Sequence, residues 1–137
     1  MRFLLDSNIL SEPTRRVPDP EVISRLREHH SESVTAAIVI HEMRHGVRRL
    51  PAGRRRDALA DYLERLLCQP ITVLPYDREA ALWHADQRAA MDAQGRPTPY
   101  ADGQIASIAA THGLTLITRN VEDFRHFSGL QVENWFE

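Results

Sequence analysis

The stretch Met1-Arg2-Phe3-Leu4-Leu5-Asp6-Ser7-Asn8-Ile9-Leu10-Ser11-Glu12 decides how the rest of the chain is read. Phe3, Leu4 and Leu5 form a short apolar run, and an acid, Asp6, follows at once. Ser7 and Asn8 are helix-capping residue types. The pattern predicts a buried strand whose carboxyl end delivers a carboxylate to the edge of a sheet, where ligands bind in open α/β folds. An acid placed there needs a partner, because burying an isolated charge is costly.

Outward from that strand the chain alternates. Ser7 to Glu12 reads as a short helix stopped before Pro13, with a loop from Thr14 to Pro18. Asp19-Pro20-Glu21 is a helix start of N-cap, N1 proline and first-turn acid, and that helix ends near His29 and His30. Ser33 to Thr35 is a second strand. Val39, Ile40, Met43, Val47 and Leu50 recur at helical spacing within a helix from Ala36 to Leu50. After the break at Pro51-Ala52-Gly53, Arg54 to Cys68 is amphipathic, with Leu59, Leu63, Leu66 and Leu67 on one side. Ile71 to Leu74 is the third strand. Asp77 caps a long Ala-rich helix to about Ala93. Thr98-Pro99 opens another, with Thr98 as N-cap, closed by Gly113. Leu114 to Thr118 is the fourth strand, Asn120 to Phe124 a turn or short helix, and Leu130 to Glu133 an edge strand. Strands alternating with helices imply a three-layer α/β/α sandwich around a mostly parallel sheet.

Bulk properties narrow the class. A length of 137 residues suits a single domain, 1–137. A net charge of −2 gives no strong bulk field for nucleic acid, so such binding would need a local basic patch. The 17 basic residues are all Arg, each able to form bidentate contacts with phosphate or carboxylate. Cys68 is the only cysteine; it excludes an internal disulfide and reads as a buried thiol on its helix. The apolar start is too short for a signal peptide and no run approaches a membrane span, so no membrane association and a cytoplasmic location are the expectations.

The acids near strand exits and helix starts carry the chemistry. Asp6 follows strand one, Asp102 lies in the first turn after Thr98-Pro99, Glu42 lies beside the apolar stripe of the third helix, and Asn120 and Asp123 follow strand four. Carboxylates sharing a pocket raise one another's pKa, and a divalent cation relieves the repulsion. Oxygen-only ligands select a hard metal such as Mg²⁺ or Mn²⁺, which activates water against a phosphodiester. Plainer readings stand beside this one. Asp102 could serve the helix dipole, Glu42 could be a solvated surface acid, and Asn120 with Asp123 could be a capping box. Asp77 is taken as a cap and not a ligand.

Four segments in order resemble the PIN-domain ribonucleases, specifically the VapC-type toxins of bacterial type II toxin–antitoxin modules. They are Leu4-Leu5-Asp6-Ser7-Asn8-Ile9-Leu10-Ser11-Glu12; Ile40-His41-Glu42-Met43-Arg44-His45-Gly46; Asp102-Gly103-Gln104-Ile105-Ala106; and Leu116-Ile117-Thr118-Arg119-Asn120 with Asp123-Phe124. The resemblance implies an endoribonuclease using Mg²⁺ or Mn²⁺. Asp6 and Asp102 would hold the metal, Glu42 would ligate or orient the attacking water, and Thr118 and Asn120 would support by hydrogen bonds. The fourth family position, Asp or Asn, falls on Asn120, and Asp123 is its competitor. An RNA substrate, a homodimer and a small cognate antitoxin whose own segment blocks the acidic crevice are implied with it.

Two rival classes follow from other features. His41-Glu42-Met43-Arg44-His45 matches H-E-x-x-H, with histidines at i and i+4 on one helix face, the geometry of a zinc hydrolase with Glu42 as base. Arg44 inside the motif, the lack of a third ligand at short spacing, and the idleness of Asp6 and Asp102 count against it. The histidines are expected to be partly exposed on a helix flank. A non-catalytic RNA- or protein-binding module is the third class; the intact Asp6, Glu42 and Asp102 argue against it. Finally, Arg44, Arg48, Arg49, Arg54, Arg55 and Arg56 crowd one helix end and the next helix start. They are either a phosphate-binding surface, a face paired with Asp57, Asp61 and Glu64, or an interface for an acidic antitoxin segment.

Overall fold

Five strands, all parallel, form one sheet in the order β3-β2-β1-β4-β5 in a computed structural model that describes residues 1–136. They are β1 (Phe3–Leu5), β2 (Ser33–Ala36), β3 (Val73–Leu74), β4 (Thr115–Ile117) and β5 (Gln131–Glu133). Parallel neighbours need long crossovers, and seven α-helices supply them: α1 (Ser7–Leu10), α2 (Pro20–Glu28), α3 (Ala37–Arg49), α4 (Arg54–Cys68), α5 (Arg78–Ala93), α6 (Tyr100–Thr111) and α7 (Val121–Phe124). The result is a three-layer α/β/α arrangement. No helix among the described residues is long and apolar enough to cross a membrane.

β1 is the middle strand and is buried throughout, as a strand covered on both faces must be. The chain runs from β1 outward to β2 and β3, then returns to the other side of β1 for β4 and β5. The carboxyl ends of β1 and β4 therefore flank the point where the winding reverses, the place where an α/β sheet leaves a crevice. Leu4, Ile9, Val39, Ile105, Ile108 and Leu116 are among the fully buried side chains that hold the layers together.

The caps at α2 and α5 are those read from the sequence: Asp19 accepts from the amides of Glu21 and Val22, and Asp77 from that of Ala80. Four expectations are corrected. The helix after β1 gives way at Ser11 to a 3₁₀ turn, Glu12–Thr14, with Pro13 inside it, because a proline near a helix start gives up an amide that has no intrahelical partner anyway. Thr98 is not the N-cap of α6: Pro99 holds that position, and the Thr98 hydroxyl instead approaches the Met91 sulfur at 3.6 Å. Cys68 is exposed because it follows Glu64 by four residues and Arg65 by three, on the polar side of α4, and Leu67 is exposed while its neighbour Leu66 packs against the core. The third strand is only Val73–Leu74, since Ile71 donates its amide to Gln69 instead of to a ladder.

Candidate active site

The end of β1 turns directly into α1, and Asp6 is the joint. Its amide stays in the sheet, donating to the Ile117 carbonyl at 2.9 Å, while its own carbonyl accepts from Ile9 and Leu10. The carboxylate caps α1 by accepting the Ser7 amide at 2.7 Å. Its second oxygen accepts the Thr118 hydroxyl at 2.8 Å, a bond across the crevice from the end of β4. The side chain is 5% exposed. Burial pushes its pKa up, the bonds from Thr118 and Ser7 pull it down, and Asp123 adds to the rise.

Thr118 is fully buried and is the hub between the two strand ends. Besides donating to Asp6, its hydroxyl oxygen accepts the Asn120 amide at 3.1 Å and the Asn8 side-chain amide at 3.5 Å. Asn8 in turn accepts the Arg119 amide at 3.1 Å. These hydrogen bonds fix the loop after β4 to the start of α1.

Glu42 and Asp102 come from two helices that pack against each other, α3 and α6. Burial raises the Glu42 pKa first, and the charges of Asp6 and then Asp102 raise it further. One oxygen of Glu42, Oε1, is buried and has no hydrogen-bond partner among the described residues. Asp102 is pushed up to about 6, by burial first, then by Asp123 and Asp6. Asp6, Glu42, Asp102 and Asp123 therefore stand close enough for the charge of one to raise the pKa of another, which linear spacing alone left open.

Of the two candidates for a fourth position, Asp123 enters this network as a charge. Asn120 takes part through its backbone amide; its side chain makes no capping bond to α7. The expected capping box is absent for the same reason: Asn120's amide is committed to Thr118, and Asp123 gives only its amide to the Asn120 carbonyl. Sequence reasoning treated Asp123 as the weaker choice because an acid three residues after Asn is a routine helix-start signal.

A donor set of carboxylates with mutually raised pKa values and one orphaned buried oxygen fits a hard divalent cation. Among the described residues no group of three or more His, Cys, Asp or Glu side chains is placed so as to hold a metal ion together.

The H-E-x-x-H face does not share this setting. His41 and His45 are exposed on α3 with ring centroids 6.2 Å apart, as a helix flank predicts, and Glu42 turns into the acid crevice between them in sequence. The arginine cluster is exposed save for Arg56, and among the described residues none of its six members pairs with Asp57, Asp61 or Glu64; Asp61 is taken by Arg65 at 3.2 Å.

The family model described as "PIN domain" matches residues 3–130. The chain belongs to the PIN-domain family. It is 35% identical over 125 residues to Toxin FitB of Neisseria gonorrhoeae, covering 89% of this chain and 90% of that protein. It is 33% identical over 138 residues to the VapC ribonuclease Y4jK of Sinorhizobium fredii, covering 98% of each. The crystal structure of FitAcB from Neisseria gonorrhoeae superimposes with a TM-score of 0.88 at 31% identity, covering 98% of this chain and 99% of that one. As PIN-domain members, the four segments around Asp6, Glu42, Asp102 and Thr118 lie within the matched residues.

Proposed function

We propose that this PIN-domain protein is an endoribonuclease, the toxin of a type II toxin–antitoxin module, and that Asp6, Glu42, Asp102 and Asn120 or Asp123 form its active site. The observation that carries the reading is the convergence of Asp6, Glu42 and Asp102 in one crevice, each with its pKa raised and with Glu42 Oε1 unpartnered. The similarity to a VapC ribonuclease and to a toxin over nearly the whole chain supports the same reading.

Asp6 and Asp102 would hold Mg²⁺ or Mn²⁺, and Glu42 would ligate it or orient water through its free oxygen. When bound, the cation supplies positive charge that makes water more acidic and offsets charge building on the phosphodiester. The protein's own share is positioning. Thr118 locks the Asp6 carboxylate in one rotamer, and the Asn8–Arg119 bond holds the β4 loop against α1. With a pKa of about 6, Asp102 is ionised at neutral pH and partly protonated below it. A homodimer, an RNA substrate, a cytoplasmic location and a small antitoxin that covers the crevice complete the proposal.

The test is RNA cleavage by the purified chain with Mg²⁺, Mn²⁺, Zn²⁺ or a chelator, beside Asp6→Asn and His45→Ala. Cleavage that requires Mg²⁺ or Mn²⁺, disappears in Asp6→Asn and persists in His45→Ala is expected. Zinc dependence lost in His45→Ala would move the chemistry to the exposed face of α3 and refute the proposal.

A further inference from the structure

Beside the acids a groove opens whose lining includes Glu42 itself and Ser7, the residue whose amide holds Asp6. The groove, of about 330 Å³, lies between α1 and the turn after it, α3 and α4. That volume falls in the range of roughly 300–1,000 Å³ typical of ligand clefts. A shallower stretch of about 250 Å³ shares Thr14, Arg55, Leu59 and Tyr62 with it and extends it along α4.

The chemistry of the walls is divided. Arg15 and Arg55 line it, with the oxygens of Ser11 and Thr14 beside them. Arg15 spends one nitrogen on Glu12 at 3.3 Å, and the fork leaves others free. Arg55 forms no hydrogen bond or ion pair among the described residues. Met43, Leu59 and the ring of Tyr62 supply the apolar part; the Tyr62 hydroxyl is tied to the Leu10 carbonyl at 2.5 Å, which fixes the ring as a wall.

Gly46 is the informative residue. It lies one turn beyond Glu42 inside α3, where glycine costs about 0.5–1 kcal/mol relative to alanine. No positive φ requires it, and a Cβ there would meet nothing within 4 Å. Neither backbone geometry nor packing explains the glycine. As glycine, position 46 leaves the groove wall bare one helical turn from Glu42.

We propose that this groove receives the nucleotide of a single-stranded RNA that adjoins the phosphodiester presented to the acids, with its phosphate on Arg15 and Arg55 and its base or ribose on Met43, Leu59 and Tyr62. The inference rests on the nuclease reading and locates the strand beside the acids. Two guanidiniums favour a phosphate and repel a cationic side chain. A concave wall with apolar surface suits an unstacked base, which a duplex does not offer.

The experiment uses Asp6→Asn protein as background, with a short fluorescein-labelled single-stranded RNA of randomised sequence followed by anisotropy. Gly46→Leu fills the groove and is expected to weaken binding about tenfold, the scale of losing one stacked base, with Gly46→Ala losing less. Arg55→Ala is exposed and leaves the core intact; it should reduce the slope of log affinity against log salt by about 0.7. Thermal melts of all variants confirm folding. Affinity within twofold in Gly46→Leu together with an unchanged slope in Arg55→Ala overturns the assignment and leaves the groove to a protein partner. If the unaltered chain neither binds nor cuts RNA, the nuclease reading itself falls, which separates the two failures.

Discussion

Gly103→Ala adds a single methyl group one residue from Asp102, yet the structure makes it a severe change. A Cβ at this position would lie 2.0 Å from Nε2 of His84, 2.6 Å from Cδ2 and 2.9 Å from Cε1. The imidazole has little freedom to retreat. It is 3% exposed, its Nδ1 is bonded to the Tyr76 hydroxyl at 2.8 Å, and the Tyr100 ring sits 4.9 Å away. Overpacking of this kind costs about 1–3 kcal/mol, and breaking the Tyr76–His84 bond adds about 1 kcal/mol. The gain from replacing a helical glycine returns about 0.5–1 kcal/mol. The net is a loss of about 2 kcal/mol, or roughly 8 °C in Tm for a domain of this size. Urea and thermal unfolding of Gly103→Ala, His84→Ala and the double variant measure it. The double variant should be less destabilised than the two losses added, because removing the ring makes room for the methyl. A Gly103→Ala protein as stable as the parent, or strict additivity, would refute the reasoning. Because Asp102 rides on the displaced turn, cleavage should fall in Gly103→Ala and recover in part in the double variant.

Other expectations follow from the same site. Asp102 rises from 3.8 to about 6 on folding, so between those values the folded state binds more protons than the unfolded one. Stability without metal should therefore decrease as pH rises through that window, the reverse of a salt-bridged carboxylate; melts at pH 5 and pH 7 in chelator test this, and added Mg²⁺ should raise Tm more at pH 7. Asp6→Asn should abolish cleavage while leaving the metal-free protein at least as stable as the parent at neutral pH, since it removes a buried charge; a large drop in Tm would contradict this. Thr118→Val should cost about 1–3 kcal/mol in urea unfolding and lower activity, because the Asn120 amide and Asp6 Oδ2 lose their partner. Thr118→Ser should keep most of both, and a valine variant with full activity would remove Thr118 from the site.

The fold was legible because its signals are local. An apolar triplet ended by an acid, an Asp-Pro-Glu helix start and the Ala-rich run after Asp77 each fix an element without help from distant residues. Asp6 was legible for the same reason, since an acid that ends a buried strand has few other uses. What the linear pattern could not supply is which acids face one another. Asp123 looks like a capping residue until the Asn120 amide is seen bonded to Thr118, 2 residues back, and the helix start is left to shape without it. Leu67 shares the period of Leu63, but periodicity gives a face and not how well each position on it is covered, and Cys68 lies off that face, on the side of Glu64 and Arg65. The histidine pair on α3 illustrates the opposite case: a motif with the right spacing and an exposed, unconverged setting.

The Asp6–Thr118 hydrogen bond spans 112 residues of sequence. Such a contact forms late, since the chain entropy of closing so long a loop must be overcome before the bond contributes. Its consequence lies in time. A growing chain presents Asp6 among its first residues, where the Ser7 amide can already hold one carboxylate oxygen, but the second oxygen gains its Thr118 partner only once β4 has emerged and docked beside β1. If Asp6 serves the chemistry proposed for it, a chain that ends before β4 carries the acid without the second of its two carboxylate anchors.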